Sequence, residues 1–163
     1  MTQMLPVEQR TAQANFRERL SLDGIWKFQY GGRGAWRAAN VPNVWQAEFD
    51  DLRDRCGTAL YKREFDLAES WQMMDLVLHF GAVNYFAEVK LNGVVLGTHE
   101  GGYLPFEFDL PRQSLAKKNE LEVKVIQPSG DAHDHAAFPF AEIPHGKQSW
   151  YGPLSGIWQS VYV

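Results

Sequence analysis

The stretch 76-LVLHFGAVNYFAEVKLNGVVLGTHEGGYLPFEFD-109 decides the fold class. Two apolar runs lie on either side of Gly81, and Asn92-Gly93 joins the second run to Val94–Leu96. Asn-Gly between two β-prone runs is the strongest short-range hairpin signal, because a type I′ turn needs positive φ at both central residues. A densely aromatic run, 103–109, follows. We interpret the whole stretch as the central meander of an antiparallel β-sandwich.

Other parts of the chain have the patterns of half-buried or buried strands. These segments are 25–30, 60–67, 121–125 and 157–163. In the first of them Trp26, Phe28 and Tyr30 alternate with polar residues, which places the aromatic rings on one face. Pro42 makes a central strand improbable in the extended piece 41–45. Short strands, regular turn signals and no helical periodicity predict an all-β antiparallel β-sandwich of the jelly-roll type.

The composition indicates one globular domain. The chain has 163 residues, of which 45% are hydrophobic and 22% are charged. We assign residues 1–20 to a poorly ordered lead-in and residues 21–163 to the jelly-roll domain. Because the last strand stops without a polar tail, we expect a domain boundary there. Most of the six Trp side chains should lie in the core, although exposed rings could stack on a sugar.

Charge and patterning exclude several classes of partner. The net charge is −4 and Lys and Arg form no basic stripe, so we predict no nucleic-acid binding. No apolar stretch approaches the roughly 18 residues of a membrane span, and the first 20 residues lack the apolar region of a signal peptide. Cys56 is the single cysteine, which fits a reducing compartment. We predict a cytoplasmic protein without membrane contact.

Between Gln127 and Pro153 the sequence has no sustained period of either kind. A structureless loop longer than about 15 residues is uncommon in a compact domain and is usually functional. We therefore expect the contact surface to lie on this loop, with 76–109 as the scaffold that holds it. In that scaffold we expect Tyr103, Phe106 and Phe108 mainly to supply packing.

The long loop contains one possible metal-binding cluster. Its members are Asp131, His133, Asp134, His135, Glu142 and His145. Cupin-type jelly rolls use His-x-His and a nearby Glu from paired strands. Here Glu142 follows His135 by seven positions, with Pro139 in the interval, and a loop would not hold the ligands at fixed geometry. We predict no metal site and no cofactor, and we keep a cupin-like metalloenzyme as the weaker alternative.

The sequence selects no catalytic residues. Glycoside hydrolysis needs two carboxyl groups about 5–10 Å apart, and the 20 acidic residues allow too many pairs for any to be chosen. Ser149 and Ser155 lack the context of a nucleophile elbow.

A third set combines aromatic rings with hydrogen-bonding groups. The candidate carbohydrate-binding or pocket-facing residues are His145, Lys147, Gln148, Ser149, Trp150 and Tyr151. Sugars have apolar C–H faces and polar edges, which suit such a set. Core packing of Trp150 remains open as the alternative.

Several motifs together resemble the N-terminal sugar-binding domain of glycoside hydrolase family 2. They are 80-FGAVNY-85, 89-VKLNGVVLG-97 and 101-GGYLPFEFD-109, supported by 22-LDGIWKF-28, 41-VPNVW-45 and 155-SGIWQSV-161. The resemblance covers roughly residues 20–163. This family contains β-galactosidases, β-glucuronidases and β-mannosidases.

The resemblance implies a galactose-binding-domain-like jelly roll. In the parent enzyme of this family it is followed by an immunoglobulin-like domain and a (β/α)₈ barrel with both catalytic glutamates. A barrel needs about 250 residues, so the resemblance implies that this chain is a non-catalytic part forming one wall of the pocket. The implied partners are a β-glycoside, the catalytic barrel and a possible second copy of the protein. A free-standing carbohydrate-binding module is the alternative.

One position departs from the family pattern. Family galactosidases and glucuronidases have an active-site aspartate six positions before the glycine that matches Gly156. That position is Trp150 here. The resemblance therefore implies neither galactosidase nor glucuronidase specificity, and we expect the Trp150 ring to stack on the sugar instead.

Overall fold

The computed structural model describes residues 18–129 and 154–163, which form short antiparallel strands and little helix. The strands are β1 Gly24–Tyr30, β2 Arg37–Val41, β3 Gly57–Asp66, β4 Leu76–Phe80, β5 Val83–Asn84, β6 Phe86–Leu91, β7 Val94–Glu100, β8 Phe106–Leu110, β9 Lys118–Gln127, β10 Gly156–Ile157 and β11 Val161–Tyr162. The helical elements are α1 Trp45–Glu48 and single 3₁₀ turns at Asp50–Leu52, Trp71–Met73 and Arg112–Ser114. Most of the predicted lead-in lies outside the described residues.

Two larger sheets and one small ladder make up the described fold. The six-stranded sheet has the order β2-β1-β3-β9-β6-β7, and the three-stranded sheet has the order β11-β4-β8. Strands β5 and β10 pair with each other. Since β5 lies between β4 and β6 in the chain, and β10 precedes β11, this ladder links the two sheets. The predicted all-β antiparallel sandwich is confirmed.

The core lies where the apolar faces of the two sheets meet. Buried residues from both sheets are Trp26, Phe28, Tyr61, Val89, Leu121, Val123 and Val125 on one side, and Leu78, Phe80, Leu110 and Val161 on the other. The alternation read in β9 correctly predicted that Leu121, Val123 and Val125 are buried, and Asn119, Ile126 and Gln127 are buried as well. Of the five described tryptophans, only Trp26 and Trp45 are buried, whereas Trp71 and Trp158 are half-buried and Trp36 is exposed, so the expectation that most tryptophans lie in the core is wrong for the described residues.

The Asn92-Gly93 turn has the backbone that the sequence predicts. The φ angles are 50° at Asn92 and 82° at Gly93, and the turn joins β6 to β7. The Asn92 side chain also holds neighbouring chain segments: its Nδ2 donates to Ser114 O at 2.7 Å, and its Oδ1 accepts from the Glu120 backbone N–H at 2.8 Å. The turn is thereby fixed to the beginning of β9.

The interpretation of 76–109 as one continuous meander is wrong in its connectivity. Strands β4 and β8 pair with each other in the small sheet, with Leu76 opposite Leu110, while β6 and β7 belong to the large sheet. The chain crosses between the sheets through β5, and it returns through the turn that contains Gly101 and Gly102. A period of two shows which face of a strand is buried, but it does not identify the neighbouring strand.

Three local features also differ from the sequence interpretation. An edge strand that the sequence analysis does not predict, β2, ends immediately before Pro42. Residues 45–52, for which the sequence analysis predicts no helix, contain α1 and a 3₁₀ turn. The terminal segment 157–163 is not one strand, because β10 pairs with β5 whereas β11 pairs with β4.

The outer face of the six-stranded sheet carries several lysine–glutamate ion pairs. Lys62 Nζ lies 2.9 Å from Glu120 and 3.1 Å from Glu122, and Lys27 lies 2.8 Å from Glu64. Hydrogen bonds to Glu120 and Glu122 raise the pKa of Lys62. This face is therefore charged and suited to water. None of the helices in the described ranges is both long and apolar enough to cross a bilayer.

Candidate functional site

The six residues that we predict to contact carbohydrate lie outside the described residues. So do all six members of the possible metal cluster. The structure describes the two flanks of this segment, which are Gln127–Ser129 at the end of β9 and Leu154–Ser155 before β10. The geometry of these flanks is what the fold contributes to the site.

Gln46 fixes the downstream flank through a reciprocal pair of hydrogen bonds. The Ser155 backbone N–H donates to Gln46 Oε1 at 2.9 Å, and Gln46 Nε2 donates to Ser155 Oγ at 2.7 Å. Both residues are buried, so each polar group has a partner that water would otherwise supply. Sequence reasoning missed Gln46, because it lies in the short helix α1 that no periodicity indicates.

Asn84 is the second anchor of the downstream flank. Its side chain is buried, and Nδ2 donates to the backbone carbonyl of Leu154. In the β5–β10 ladder Asn84 lies opposite Gly156. A Cβ added at Gly102 would clash with Asn84 Oδ1, and Trp158 Nε1 donates to Gly102 O at 2.8 Å. Three chain segments therefore meet around this one carboxamide.

Two residues of the flanks have a buried polar atom without a partner. Among the described residues, four buried side-chain atoms have no hydrogen-bond partner, and these are Asn84 Oδ1, Gln127 Oε1, His99 Nε2 and Arg63 Nε. Gln127 ends β9, and its Nε2 makes a long contact of 3.4 Å to Pro128 O. A buried polar atom without a partner costs about 1–3 kcal/mol. Two of the four atoms belong to Asn84, which anchors the downstream flank, and to Gln127, which ends the upstream strand.

The titratable groups beside this region are held uncharged or already paired. Tyr85 donates its hydroxyl to Glu100 Oε1 at 2.7 Å, and burial together with Glu100 raises the pKa of Tyr85 to about 12. The ring of His99 stacks on Phe106 with 4.1 Å between centroids, and burial lowers the pKa of His99. At neutral pH both side chains are neutral, so this region suits hydroxyl-bearing or apolar groups better than ions.

The turn after β7 presents apolar side chains to the exterior. Tyr103 is 55% exposed and Leu104 is 70% exposed. Leu154, which belongs to the segment before β10, is 56% exposed. The Tyr103 ring meets Trp158 edge-on at 6.0 Å. The expectation that Tyr103 mainly supplies packing is wrong, because more than half of its surface is exposed and it does not pack against the core cluster. Phe106 packs against the core, with 4.9 Å between its ring centroid and that of Phe80.

Within residues 18–129 and 154–163, no group of three or more His, Cys, Asp or Glu side chains could hold a metal ion. The possible metal-binding cluster between Asp131 and His145, which we predict not to hold a metal, lies outside those ranges.

Comparison with known proteins places this geometry in a family. Residues 7–163 match the family described as glycosyl hydrolases family 2, sugar binding domain. The chain belongs to this family. The match covers the scaffold and both flanks of the undescribed segment, which confirms the resemblance read from the motifs.

Curated relatives and solved structures agree with this assignment. A β-glucuronidase of Formosa agariphila is 32% identical over 140 residues, covering 78% of this chain and 14% of that protein. A β-glucuronidase of Mus musculus is 41% identical over 121 residues, covering 59% and 18%. A Ruminococcus gnavus β-glucuronidase, solved with C6-substituted uronic isofagomine, superposes with a TM-score of 0.69 at 26% identity, covering 98% of this chain and 30% of that one.

The family 2 sugar-binding domain is a small part of these relatives. This chain spans between 13% and 21% of the length of the curated relatives it matches. The catalytic activity named for those proteins therefore belongs to chains that are several times longer.

Proposed function

We propose that this domain is the non-catalytic sugar-binding part of a longer family 2 β-glycosidase, in which it forms one wall of the active-site pocket. The family match over residues 7–163 carries the proposal. Support also comes from the relatives, whose chains are about five or more times the length of the matched part. The parent enzyme would hydrolyse the O-glycosidic bond of a β-glycoside with residues outside this chain.

We propose that the contact residues are those read from the sequence, with Trp150 at their centre. The anchored flank supports this, because Gln46 and Asn84 fix Ser155 and Leu154 only a few positions downstream. Trp150 replaces the aspartate expected in family galactosidases and glucuronidases, so we propose an aromatic contact to the sugar ring. The family supports a β-glycoside as the substrate class and leaves the sugar open.

A cytoplasmic location and self-association of the parent enzyme are further proposals. The single Cys56 and the polar first 20 residues support the first of these. The family's domain organisation is the support for a catalytic barrel as the partner of this domain.

The first experiment tests catalysis by this domain alone. The purified 163-residue chain is incubated with aryl β-glucuronides, β-galactosides and β-mannosides, and release of the aryl group is followed. We expect no turnover, because the family places both catalytic glutamates in the barrel. Robust turnover by highly pure chain would contradict the proposal.

The second experiment tests direct binding. The chain is titrated with simple hexoses and uronic acids. The Trp150→Ala variant is compared with a control variant, Trp36→Ala, which removes an exposed tryptophan far from Trp150 in the sequence. We expect Trp150→Ala to weaken binding by about tenfold, the equivalent of about 1.4 kcal/mol of stacking. Trp36→Ala should leave binding unchanged. Equal affinities of the wild type and Trp150→Ala would remove Trp150 from the site.

A further inference from the structure

A groove lies on the outer face of the three-stranded sheet, on the side away from the core. Leu78 of β4 is buried, so its neighbours Val77 and His79 face the opposite way. The strand register places Glu107 of β8 and Tyr162 of β11 on either side of His79. Val77, His79, Glu107 and Tyr162 form the floor of this outer groove.

Two chain segments wall the outer groove. One is the short turn after β3 that carries Trp71 and Met74, and the other contains Glu18 and Arg19. Trp71 Nε1 donates to Glu18 Oε2 at 3.1 Å, which joins the two walls. The groove has a volume of about 660 Å³. Small-molecule sites usually have volumes of about 300–1,000 Å³, so the outer groove is large enough for a ligand of that class.

Contacts among the polar residues fix their positions before any ligand binds. His79 Nδ1 lies 3.0 Å from Glu107 Oε1, and the His79 ring stacks on Tyr162 with 4.4 Å between centroids. The Arg19 guanidinium lies 4.5 Å from the centre of the Tyr162 ring. The Glu107 side chain is still 61% exposed, so its carboxylate can accept hydrogen bonds from a ligand.

The mixture of side chains in the outer groove suits a sugar. Trp71, Met74 and Val77 are apolar surfaces for the C–H face of a sugar ring, while Glu107 and Arg19 offer an acceptor and donors for its hydroxyl groups. A protein interface would instead be depleted of charge at its centre. In the part of the chain that the structure describes, no group of acidic, His or Cys side chains could hold a metal ion.

The charges around the outer groove favour a neutral sugar over a uronic acid. Among the described lining residues, the carboxylates of Glu18, Asp75 and Glu107 face one guanidinium, that of Arg19. Asp75 is also paired with Arg112, with 2.6 Å between Oδ1 and Nη2. Glu18 and Glu107 would repel the carboxylate of a uronic acid at neutral pH.

We propose that the outer groove is a second carbohydrate-binding site, which takes neutral glycosides and discriminates against uronic acids. This inference goes beyond the proposed function, because the outer groove contains none of the residues assigned to the pocket. Binding there depends neither on Trp150 nor on the flank that Gln46 and Asn84 hold.

NMR of the 163-residue chain tests binding directly. The chain is titrated at neutral pH with methyl β-glucoside, methyl β-galactoside or glucuronic acid. At least one neutral glycoside should shift the Trp71 indole N–H and the His79 amide saturably, and glucuronic acid should bind there at least about tenfold more weakly. Trp150→Ala should show the same shifts, and their loss would assign the binding to the pocket. That loss, no saturable shift with either glycoside, or equal affinity for glucuronic acid would overturn the proposal.

Glu107→Gln tests the origin of the discrimination. It keeps a hydrogen-bonding group beside His79 and removes one negative charge, so glucuronic acid should bind about threefold or more tightly than to the wild type. Asp109→Asn is the matched control, because Asp109 lies two residues further along the same face of β8 and does not line the outer groove. It should leave the discrimination unchanged. Wild-type discrimination in Glu107→Gln would contradict the assigned charge effect.

Val77→Phe tests the location of the ligand by filling the floor of the outer groove. We expect a loss of at least about tenfold in affinity for the neutral glycoside. Val94→Phe enlarges a similarly exposed valine at the start of β7 and should leave affinity unchanged. Unchanged affinity in a folded Val77→Phe variant would place the ligand elsewhere and overturn the proposal.

Methionine oxidation provides a test that needs no substitution. Met74 lines the outer groove and is 46% exposed, whereas its neighbour Met73 does not line it and is 74% exposed. The neutral glycoside should slow oxidation of Met74 by dilute peroxide several-fold and leave Met73 unaffected, as followed by mass spectrometry. The same result is expected in the full-length parent enzyme. Met74 that is already protected in the parent without sugar would show that another part of the protein fills the outer groove, and would overturn the proposal.

Discussion

At the scale of single residues, small side chains decide where the downstream flank lies. Gly102 leaves room for the Asn84 carboxamide, which in turn reaches Leu154. A side chain at position 102 would clash with Asn84 Oδ1. Replacing Asn84 by a residue without an N–H donor would leave the Leu154 carbonyl without this partner. The sequence shows Gly101-Gly102 only as a turn signal, so the requirement for Gly102 is visible only in the structure.

Gly102→Ala should destabilise the chain by about 1–3 kcal/mol through overpacking against Asn84. Asn84→Ala should also destabilise it, because the Leu154 carbonyl loses its donor. In the double variant the clash is relieved, so the cost of Gly102→Ala should be smaller than in the wild type. Urea unfolding of the four proteins measures this coupling. Strictly additive free energies would show that the two residues do not contact each other as described.

His99 should make stability depend on pH. Its pKa is lowered below 6.5 by burial, so between that value and the lower pKa of the folded state the unfolded chain binds more protons. Stability is therefore full above about pH 6.5 and falls as pH decreases toward the pKa of the folded state. His99→Phe keeps a ring beside Phe106 and removes this titration. Urea unfolding from about pH 7.5 to about pH 5 should show a shallower decline for His99→Phe than for the wild type. Parallel declines would contradict this account.

At the scale of elements, the β6–β7 hairpin shows how local sequence and distant contacts agree. Asn92 and Gly93 supply positive φ, and the Asn92 side chain ties the turn to Ser114 and to the Glu120 backbone. The turn type was predictable from the dipeptide alone. The side-chain bonds were not, because they depend on β9 lying beside β6.

Asn92→Gly and Asn92→Ala should separate these two contributions. Asn92→Gly keeps the left-handed backbone and loses the side-chain hydrogen bonds, which contribute about 1 kcal/mol each. Asn92→Ala loses the same bonds and adds about 1–2 kcal/mol of left-handed strain. We expect the order of stability to be wild type, Asn92→Gly, Asn92→Ala in denaturant unfolding of the chain. A more stable Asn92→Ala than Asn92→Gly would contradict the assigned turn.

Strand existence was predictable where alternation is clean, as in β1, β3 and β9. The short elements β2 and α1 were missed, because five and four residues are too few for a period to stand out. The division of 76–109 between two sheets was missed for another reason: partner choice is set by the crossing at β5, and alternation carries no information about it. The anchoring roles of Gln46 and Asn84 were not predictable from the sequence, although Asn84 lies in the motif 80–85, since each residue acts through contacts with residues about 70 or more positions away.

At the scale of the whole molecule, the domain combines a charged face, a buried core and a flank that carries neutral polar groups. Lysine–glutamate ion pairs lie on the outer face of the six-stranded sheet. By contrast, the region around Asn84, Gly102 and Leu154 combines buried hydrogen bonds with exposed apolar side chains. In the proposed function, that region faces the pocket and the charged sheet faces solvent.

The central claim is that this domain supplies a wall of the sugar pocket through Trp150. The most direct measurement is kcat/KM of the full-length parent on an aryl β-glycoside for the wild type and for Trp150→Ala, with melting temperatures measured alongside. We predict a loss of about tenfold or more in kcat/KM with an unchanged melting temperature, because the proposal assigns the ring to the sugar contact and not to the core. Unchanged kcat/KM, or a loss that follows unfolding of the domain, would contradict the claim.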